Sequence, residues 1–283
     1  MNLKLIWDEE TNATGNRFLD ESKALCALLT SLSEADFETP TQFKGWSINN
    51  IIRHLHVWNI AVDLSLRDEA AFGAFVAAMM AGVRGGKLPE FEASYLDGLS
   101  GHALRNAWIE RAEATAVAFA AADPKLRLKW VGPDMSALSS ITARLMETWA
   151  HGQAVYDVLG VARQDTDRIG NIARLGVNTW GFTWKNRRTE PPGPMPKLRL
   201  FAPSGAVWEY GEPSESGMIS GSATEFCQVV TQCRNIADTA LEVTGEVAHQ
   251  WMGIAQCFAG PPQDPPAKDT RHCVDSAHGK WLS

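Results

Sequence analysis

Through the first 185 residues apolar side chains recur at spacings of three and four with no sustained alternation, the pattern of helices packed through one face. Four long segments emerge. The first covers roughly residues 11–32, where Phe18, Leu25, Leu28, Leu29 and Leu32 form an apolar side before Thr39-Pro40 closes the following loop. The second opens at GWSINN, with Ser47 placed to cap the exposed N–H groups of a helix running to about Leu66. A shorter helical stretch, about 69–83, stops at Gly85-Gly86 and a loop containing Pro89. The third long segment, about 101–122, carries Leu104, Trp108 and Phe119 and ends at Asp123-Pro124. The fourth runs from Pro133-Asp134-Met135 to Leu159, with Gly160 as its stop. Four long amphipathic helices joined by loops predict a bundle.

The pattern changes at KNRRTEPPGPMPK, residues 185–197, where four prolines and a charge cluster cannot continue a helix. Beyond it KLRLFAP, the Ser204-Gly205 turn and AVWEYGEP alternate apolar and polar residues, which predicts a β-hairpin. Helices over about 222–233 and 246–258 follow. The expected organisation is α plus α+β: a helical bundle over 1–185, a proline-rich linker over 186–196, a small α+β domain over 197–262 and a mobile polar tail over 263–283.

Composition narrows the function. The 283 residues are 45% hydrophobic, enough for a substantial core, and carry a formal charge of -7. With a pI near 5.5 and no Lys/Arg-rich stripe, nucleic acid is excluded as a partner. The opening MNLKLIWDEETN has no long apolar run before its first acids, so neither a signal peptide nor a membrane span is expected, and the protein reads as cytoplasmic. In that setting the Asn12-Ala13-Thr14 sequon is without meaning. Cys26, Cys227, Cys233, Cys257 and Cys273 are odd in number, scattered and never in CxxC spacing, which argues for reduced thiols rather than a disulfide framework or a cysteine zinc site. There is no P-loop, dinucleotide-binding glycine pattern, HExxH or internal repeat.

One constellation carries chemistry. In ARLMETWAHGQAVYDVLG, Glu147 and His151 lie four positions apart, about 40° around a helix axis, so they project side by side. Leu145, Trp149, Tyr156 and Leu159 occupy the opposite side, and a Glu-His face that is also covered needs polar partners. The pair is either a salt-bridged surface pair with a satisfied core histidine, or part of a metal site. In INNIIRHLHVWNIAVDL the stripe Ile51, Leu55, Trp58 and Val62 has His54 on its edge, while His56 points to the far side as a surface residue. His54 is either a core histidine or, facing the bundle interior, the third member of a set of two imidazoles and a carboxylate. Such a set suits zinc or nickel, and three protein ligands leave positions open for water or substrate.

GWSINNIIRHLHVW followed some ninety residues later by ARLMETWAHG resembles the DinB-like metal-binding four-helix bundles, and within them the mycothiol-dependent maleylpyruvate isomerase group. Most DinB-like bundles have three histidine ligands, whereas the isomerase group has His, Glu and His; the matching positions are His54, Glu147 and His151. SGSATEFCQVVTQCRNIADTALEVTGEVAHQWMGIAQCFAGPP is similar to the sterol-carrier-like C-terminal domain of the same group. The resemblance, over residues 10–262, implies a metal (Zn2+, or Ni2+ or another divalent ion) and mycothiol or another small thiol as cosubstrate. The thiolate adds to an electrophilic substrate, as in cis–trans isomerisation, or stays attached, as in an S-transferase. A non-enzymatic metal- or ligand-binding carrier and a metal-dependent hydrolase are the alternatives. Arg144 either orients Glu147 or is a solvated helix charge. Arg84, Arg234 and His249 are candidates for holding an anionic substrate or thiol, with structural roles as the alternative. Trp46, Trp58, Trp149 and Trp180 either line a pocket or pack the core, and Asp157 reads as a surface or capping group. The expected partners are small molecules, with no nucleic acid and no membrane, and nothing in the pattern specifies an oligomeric state.

Overall fold

A computed structural model describes residues 3–274, which fall into two compact units, one through Val155 and one from Tyr156 onward. The first contains α1 (Leu3–Leu28), α2 (Ile48–Arg67), α3 (Glu69–Gly85), α4 (Leu88–Tyr95), α5 (Gly101–Ala120), a ribbon of β1 (Arg127–Leu128) and β2 (Met135–Ser136), and α6 (Ala137–Val158), whose last residues belong to the second unit. The four long helices expected from apolar spacing are α1, α2, α5 and α6. Phe18, Leu25, Leu29, Ile51, Leu55, Val62, Leu104, Trp108, Phe119, Ile141, Leu145 and Trp149 are all fully buried. Each such side chain contributes about 1.5–3 kcal/mol by leaving water, so packing rather than helix propensity holds the bundle.

The start of α2 is set by its cap. Ser47 Oγ accepts from the Asn50 backbone N–H at 3.2 Å, and Asn50 Oδ1 accepts from the Ser47 N–H at 3.0 Å, a reciprocal capping box that fixes the register of His54 downstream. The segment expected as a loop around Pro89 is instead helix α4. Proline sits in its first turn, where the missing N–H has no intrahelical partner in any case. Glu90 Oε2 accepts from the Lys87 N–H at 3.1 Å, and Phe91 packs on a cluster of Val57, Ala61, Phe72 and Phe75. Tertiary burial of one face therefore gives this short stretch its helical form.

The second unit contains α7 (Gly170–Asn178), α8 (Trp180–Asn186), β3 (Lys197–Phe201), β4 (Val207–Tyr210), β5 (Met218–Ser222), α9 (Ala223–Val230), β6 (Glu242–Thr244) and α10 (Glu246–Met252). The expected hairpin is β3–β4, antiparallel from Leu198↔Tyr210 to Phe201↔Val207, with Leu198 and Leu200 buried. The four-stranded sheet has the order β4-β3-β5-β6, with β5 parallel to β3 and β6 antiparallel to β5. Neither β5 nor β6 shows in the apolar pattern, because in MISGS only Ile219 is buried and β6 is three residues long. Helix α10 ends at Met252, short of the expected 258, and the chain turns back so that the Cys257 N–H donates to the Val230 carbonyl at 2.9 Å.

The division at Val155–Tyr156 lies well ahead of the proline-rich stretch at 185–197, because α7 and α8 pack on the C-terminal elements. Gly176 of α7 lies so close to α9 that an added Cβ would meet a Val230 methyl at 2.8 Å. In the expected mobile tail, residues 263–274 form no helix or strand, yet Gln263 N–H donates to Gln256, Asn235 to the Pro266 carbonyl and Val274 N–H to the Asp157 carbonyl. Residues 275–283 of that tail lie outside the described residues. The five cysteines form no disulfide among the described residues, and burial pushes the Cys227 and Cys233 thiols up, which keeps them protonated. No helix among the described residues is long and apolar enough to cross a membrane. Replacing the cap, Ser47→Ala, is expected to cost about 1 kcal/mol in urea denaturation; an unchanged midpoint would show that the capping box does not stabilise α2.

Candidate metal centre

His54 lies two turns into α2, and Glu147 and His151 lie one turn apart on α6. The structure brings all three together, with one potential ligand atom from each lying within 4.8 Å of the others. His151 Nε2 is 3.1 Å and His54 Nε2 is 3.8 Å from the same oxygen, Glu147 Oε2. The Nε2 atoms of both rings thus converge on one carboxylate oxygen. The side chains are 12%, 23% and 12% exposed for His54, Glu147 and His151, so the cluster is largely desolvated but not sealed from solvent.

The cluster's electrostatics follow from that burial. Burial alone would lower the pKa of His54, but the negative charges of Glu92 and Glu147 and their hydrogen bonds outweigh it and raise it to about 9. Burial would raise Glu147, yet hydrogen bonds and charge from His151 and His54 hold it well below the usual carboxylate range. His151 is lowered by burial, aided by the charges of His54 and Arg144 and opposed by its hydrogen bond to Glu147. Among the described residues, the buried His151 Nδ1 has no hydrogen-bond partner. Two imidazoles and a carboxylate with converging lone pairs are a donor set that zinc or another borderline divalent ion accepts, so these residues fit such an ion.

Aromatic rings wall the histidines. The loop from Pro40 to Ser47 closes on itself through a Pro40↔Ser47 bridge and a Thr41 N–H to Trp46 carbonyl hydrogen bond of 2.8 Å, and turns through consecutive positive-φ residues, Lys44 and Gly45. It sets the Trp46 ring nearly parallel to His151, 3° apart in plane with centroids at 6.0 Å, and the Phe43 ring edge-on to His151 at 4.8 Å. Trp46 also meets His54 edge-on at 5.4 Å, and Trp58 is tilted against His54 at 6.0 Å. Trp149 is fully buried as core, and Trp180 packs edge-on against Trp184 and Trp251 in the C-terminal unit.

Several readings of single residues are corrected. Arg144 is not solvated: it is 2% exposed, donates from Nε to Asn59 Oδ1 at 2.9 Å and from Nη2 to the Leu55 carbonyl at 3.4 Å, and burial brings its pKa down to about 10. His56 is not a surface residue but 7% exposed, and burial with the nearby charge of Arg111 lowers its pKa to about 4. Asp157 is 3% exposed and receives both terminal nitrogens of Arg234, at 2.7 and 2.8 Å, inside the C-terminal unit. Arg84 is exposed near the end of α3, and among the described residues it makes no hydrogen bond or ion pair with the three clustered side chains. His249 is exposed with Nδ1 on the Gly245 carbonyl.

Sequence reasoning missed Glu92. This α4 residue is fully buried; its Oε1 is 2.7 Å from His54 Nδ1 and accepts from Trp58 Nε1 at 3.1 Å, while its Oε2 has no hydrogen-bond partner among the described residues. The available signal was Pro89-Glu90, a helix-start pair, which places Phe91 and Glu92 on a helix rather than in a loop. Phe43 was missed as well, since nothing in a loop's spacing shows where its side chain points.

The three clustered residues lie within a stretch that matches a known family. Residues 18–156 match the family described as the mycothiol maleylpyruvate isomerase N-terminal domain. Two Mycobacterium tuberculosis proteins, the uncharacterized proteins MT0041 of strain CDC 1551 / Oshkosh and Rv0036c of strain H37Rv, are each 38% identical over 244 residues, spanning 86% of this chain and 93% of the relative. Among solved structures, the mycothiol-dependent maleylpyruvate isomerase superposes with a TM-score of 0.52 at 16% identity, covering 90% of this chain and 96% of that one, and a histidine-to-alanine mutant of it gives the same score at 17%. That likeness reports the fold, a helical bundle with a small α+β part. The family match spans α2 to α5 and most of α6: the chain belongs to the DinB-like, mycothiol maleylpyruvate isomerase-like family.

Proposed function

We propose that this protein is a divalent-metal-dependent enzyme that uses a low-molecular-weight thiol of the mycothiol kind against an electrophilic substrate, as a cis–trans isomerase or an S-transferase. The observation that carries this reading is the convergence of His54 Nε2 and His151 Nε2 on Glu147 Oε2 in a partly open site of a chain from this family. His54, Glu147 and His151 would hold the ion, zinc in the first instance and nickel as the alternative. Such an ion, once bound, supplies a positive charge that lowers the pKa of a thiol brought to it.

The chain's own residues do the rest. Three protein donors leave room for an exogenous ligand, whereas a closed structural zinc site has four. Trp46 and Phe43 shield His151 from water and hold its ring plane, and the Arg144 guanidinium, tied to Asn59 and the Leu55 carbonyl, fixes α6 against α2 one turn before Glu147. In the isomerase form of the reaction, thiolate sulfur forms a bond to one carbon of a carbonyl-conjugated cis double bond and the electron pair passes to the carbonyl as an enolate. Rotation about the new single bond and expulsion of the thiolate then give the trans alkene. In the transferase form the enolate takes a proton and the C–S bond stays. A hydrolase fits less well, because it needs a general base on the Nε2 side of the site, and Glu92 faces the opposite nitrogen of His54 and is fully buried. Cysteines without a disulfide and a thiol cosubstrate both suit a reducing cytoplasm.

Purified protein is expected to retain about one zinc per chain by elemental analysis, as a three-donor site implies, and His54→Ala and His151→Ala to fall to background with the fold intact by circular dichroism. Occupancy unchanged in both variants would remove the metal centre. Metal-loaded protein is expected to turn over an electrophilic cis-alkene such as maleylpyruvate, or to form its thiol adduct, only when mycothiol is added, and to lose this activity after chelation. Neither turnover nor adduct across a panel of thiols and alkenes would leave a carrier role in its place.

A further inference from the structure

A carboxylate lies behind the cluster, on the side of His54 away from the converging donors. Glu92 comes from α4, an element separate from the two that carry the candidate ligands, and it is fully buried. A carboxylate oxygen accepts, so the 2.7 Å contact from Glu92 Oε1 places the hydrogen of neutral His54 on Nδ1 and leaves the Nε2 lone pair facing Glu147 and His151. The same Oε1 accepts from Trp58 Nε1 at 3.1 Å, which pins the carboxylate from a second direction. Among the described residues Glu92 Oε2 has no hydrogen-bond partner, an arrangement that is costly in a dry interior unless positive charge stands nearby. His151 lacks such support, since among the same residues its buried Nδ1 has no hydrogen-bond acceptor.

We infer that Glu92 is the positioning residue of the metal centre, holding His54 in the one tautomer and ring orientation that can ligate, with Trp58 holding Glu92. The inference rests on the metal reading above. Its physical content is asymmetry: one histidine is locked through Nδ1 by a buried carboxylate, and the other stands between Glu147 and the rings of Trp46 and Phe43. Outer-shell partners of this kind change metal affinity by about 10- to 100-fold when removed.

The test is zinc titration of the full chain against a competing chelator, with cobalt(II) uptake read by its visible absorption. Glu92→Gln keeps an acceptor for His54 Nδ1 but removes the negative charge, and is expected to weaken zinc about 10-fold; Glu92→Leu removes both and is expected to weaken it about 100-fold. Trp58→Phe leaves Glu92 in place without its second donor, and is expected to give a smaller loss in the same direction. The cobalt bands are expected to shift in Glu92→Gln, a change that a purely structural role for Glu92 does not produce. If wild type binds zinc and both Glu92→Gln and Trp58→Phe bind it equally well with unshifted cobalt bands, the positioning role is overturned alone. If wild type takes up neither ion, the metal reading is overturned and this inference with it.

Discussion

A carboxylate placed between two helices of a bundle must be matched by positive charge or hydrogen-bond donors, and the neighbourhood of Glu147 is organised around that requirement. Two imidazoles aim Nε2 at one of its oxygens, and Arg144, one turn earlier on α6, adds a positive charge that is itself buried and must be satisfied. Arg144 finds its partners in Asn59 and the Leu55 carbonyl, both on α2. The same polar chain that compensates Glu147 thus ties α6 to α2. Apolar packing sets the separation of the helices, and this chain of contacts sets their register.

Around that chain the aromatic residues serve a second purpose besides burial. Trp58 is shared between an apolar cluster with Phe75 and Trp130 and the polar contact to Glu92, so the packing of α3 and α4 is coupled to the orientation of His54. Phe91 sits in the apolar cluster and Glu92, the next residue, reaches the polar side. A short helix with one apolar and one acidic neighbour is enough to connect the two.

Much of this was legible in the sequence. Ser47 as a cap, the stripe of Ile51, Leu55 and Val62, the burial of Leu145 and Trp149, and the β3–β4 hairpin all follow from periodicity and turn chemistry, which act within a few residues of chain. The meeting of His54 with Glu147 and His151 requires that their helices face each other, which periodicity leaves as one of two alternatives and the family pattern selects. What periodicity left out depends on contacts between distant segments. Glu92 lies in a stretch whose helix is stabilised by packing, His56 is buried by the neighbouring helix α5 near Arg111, and Asp157 is drawn inward by Arg234. Strand β5 is held by pairing on both edges rather than by its own side chains, so no alternation announces it.

The Pro40–Ser47 loop adds a second kind of element to the cluster. The candidate ligands and the carboxylate behind them stand on helices whose positions are fixed by the core, while Phe43 and Trp46, the rings beside the histidines, hang from a short closed loop. That loop supplies none of the three candidate donors, yet its rings meet both imidazoles. Its length and turn therefore set how the histidine rings stand, while the helices keep their own packing.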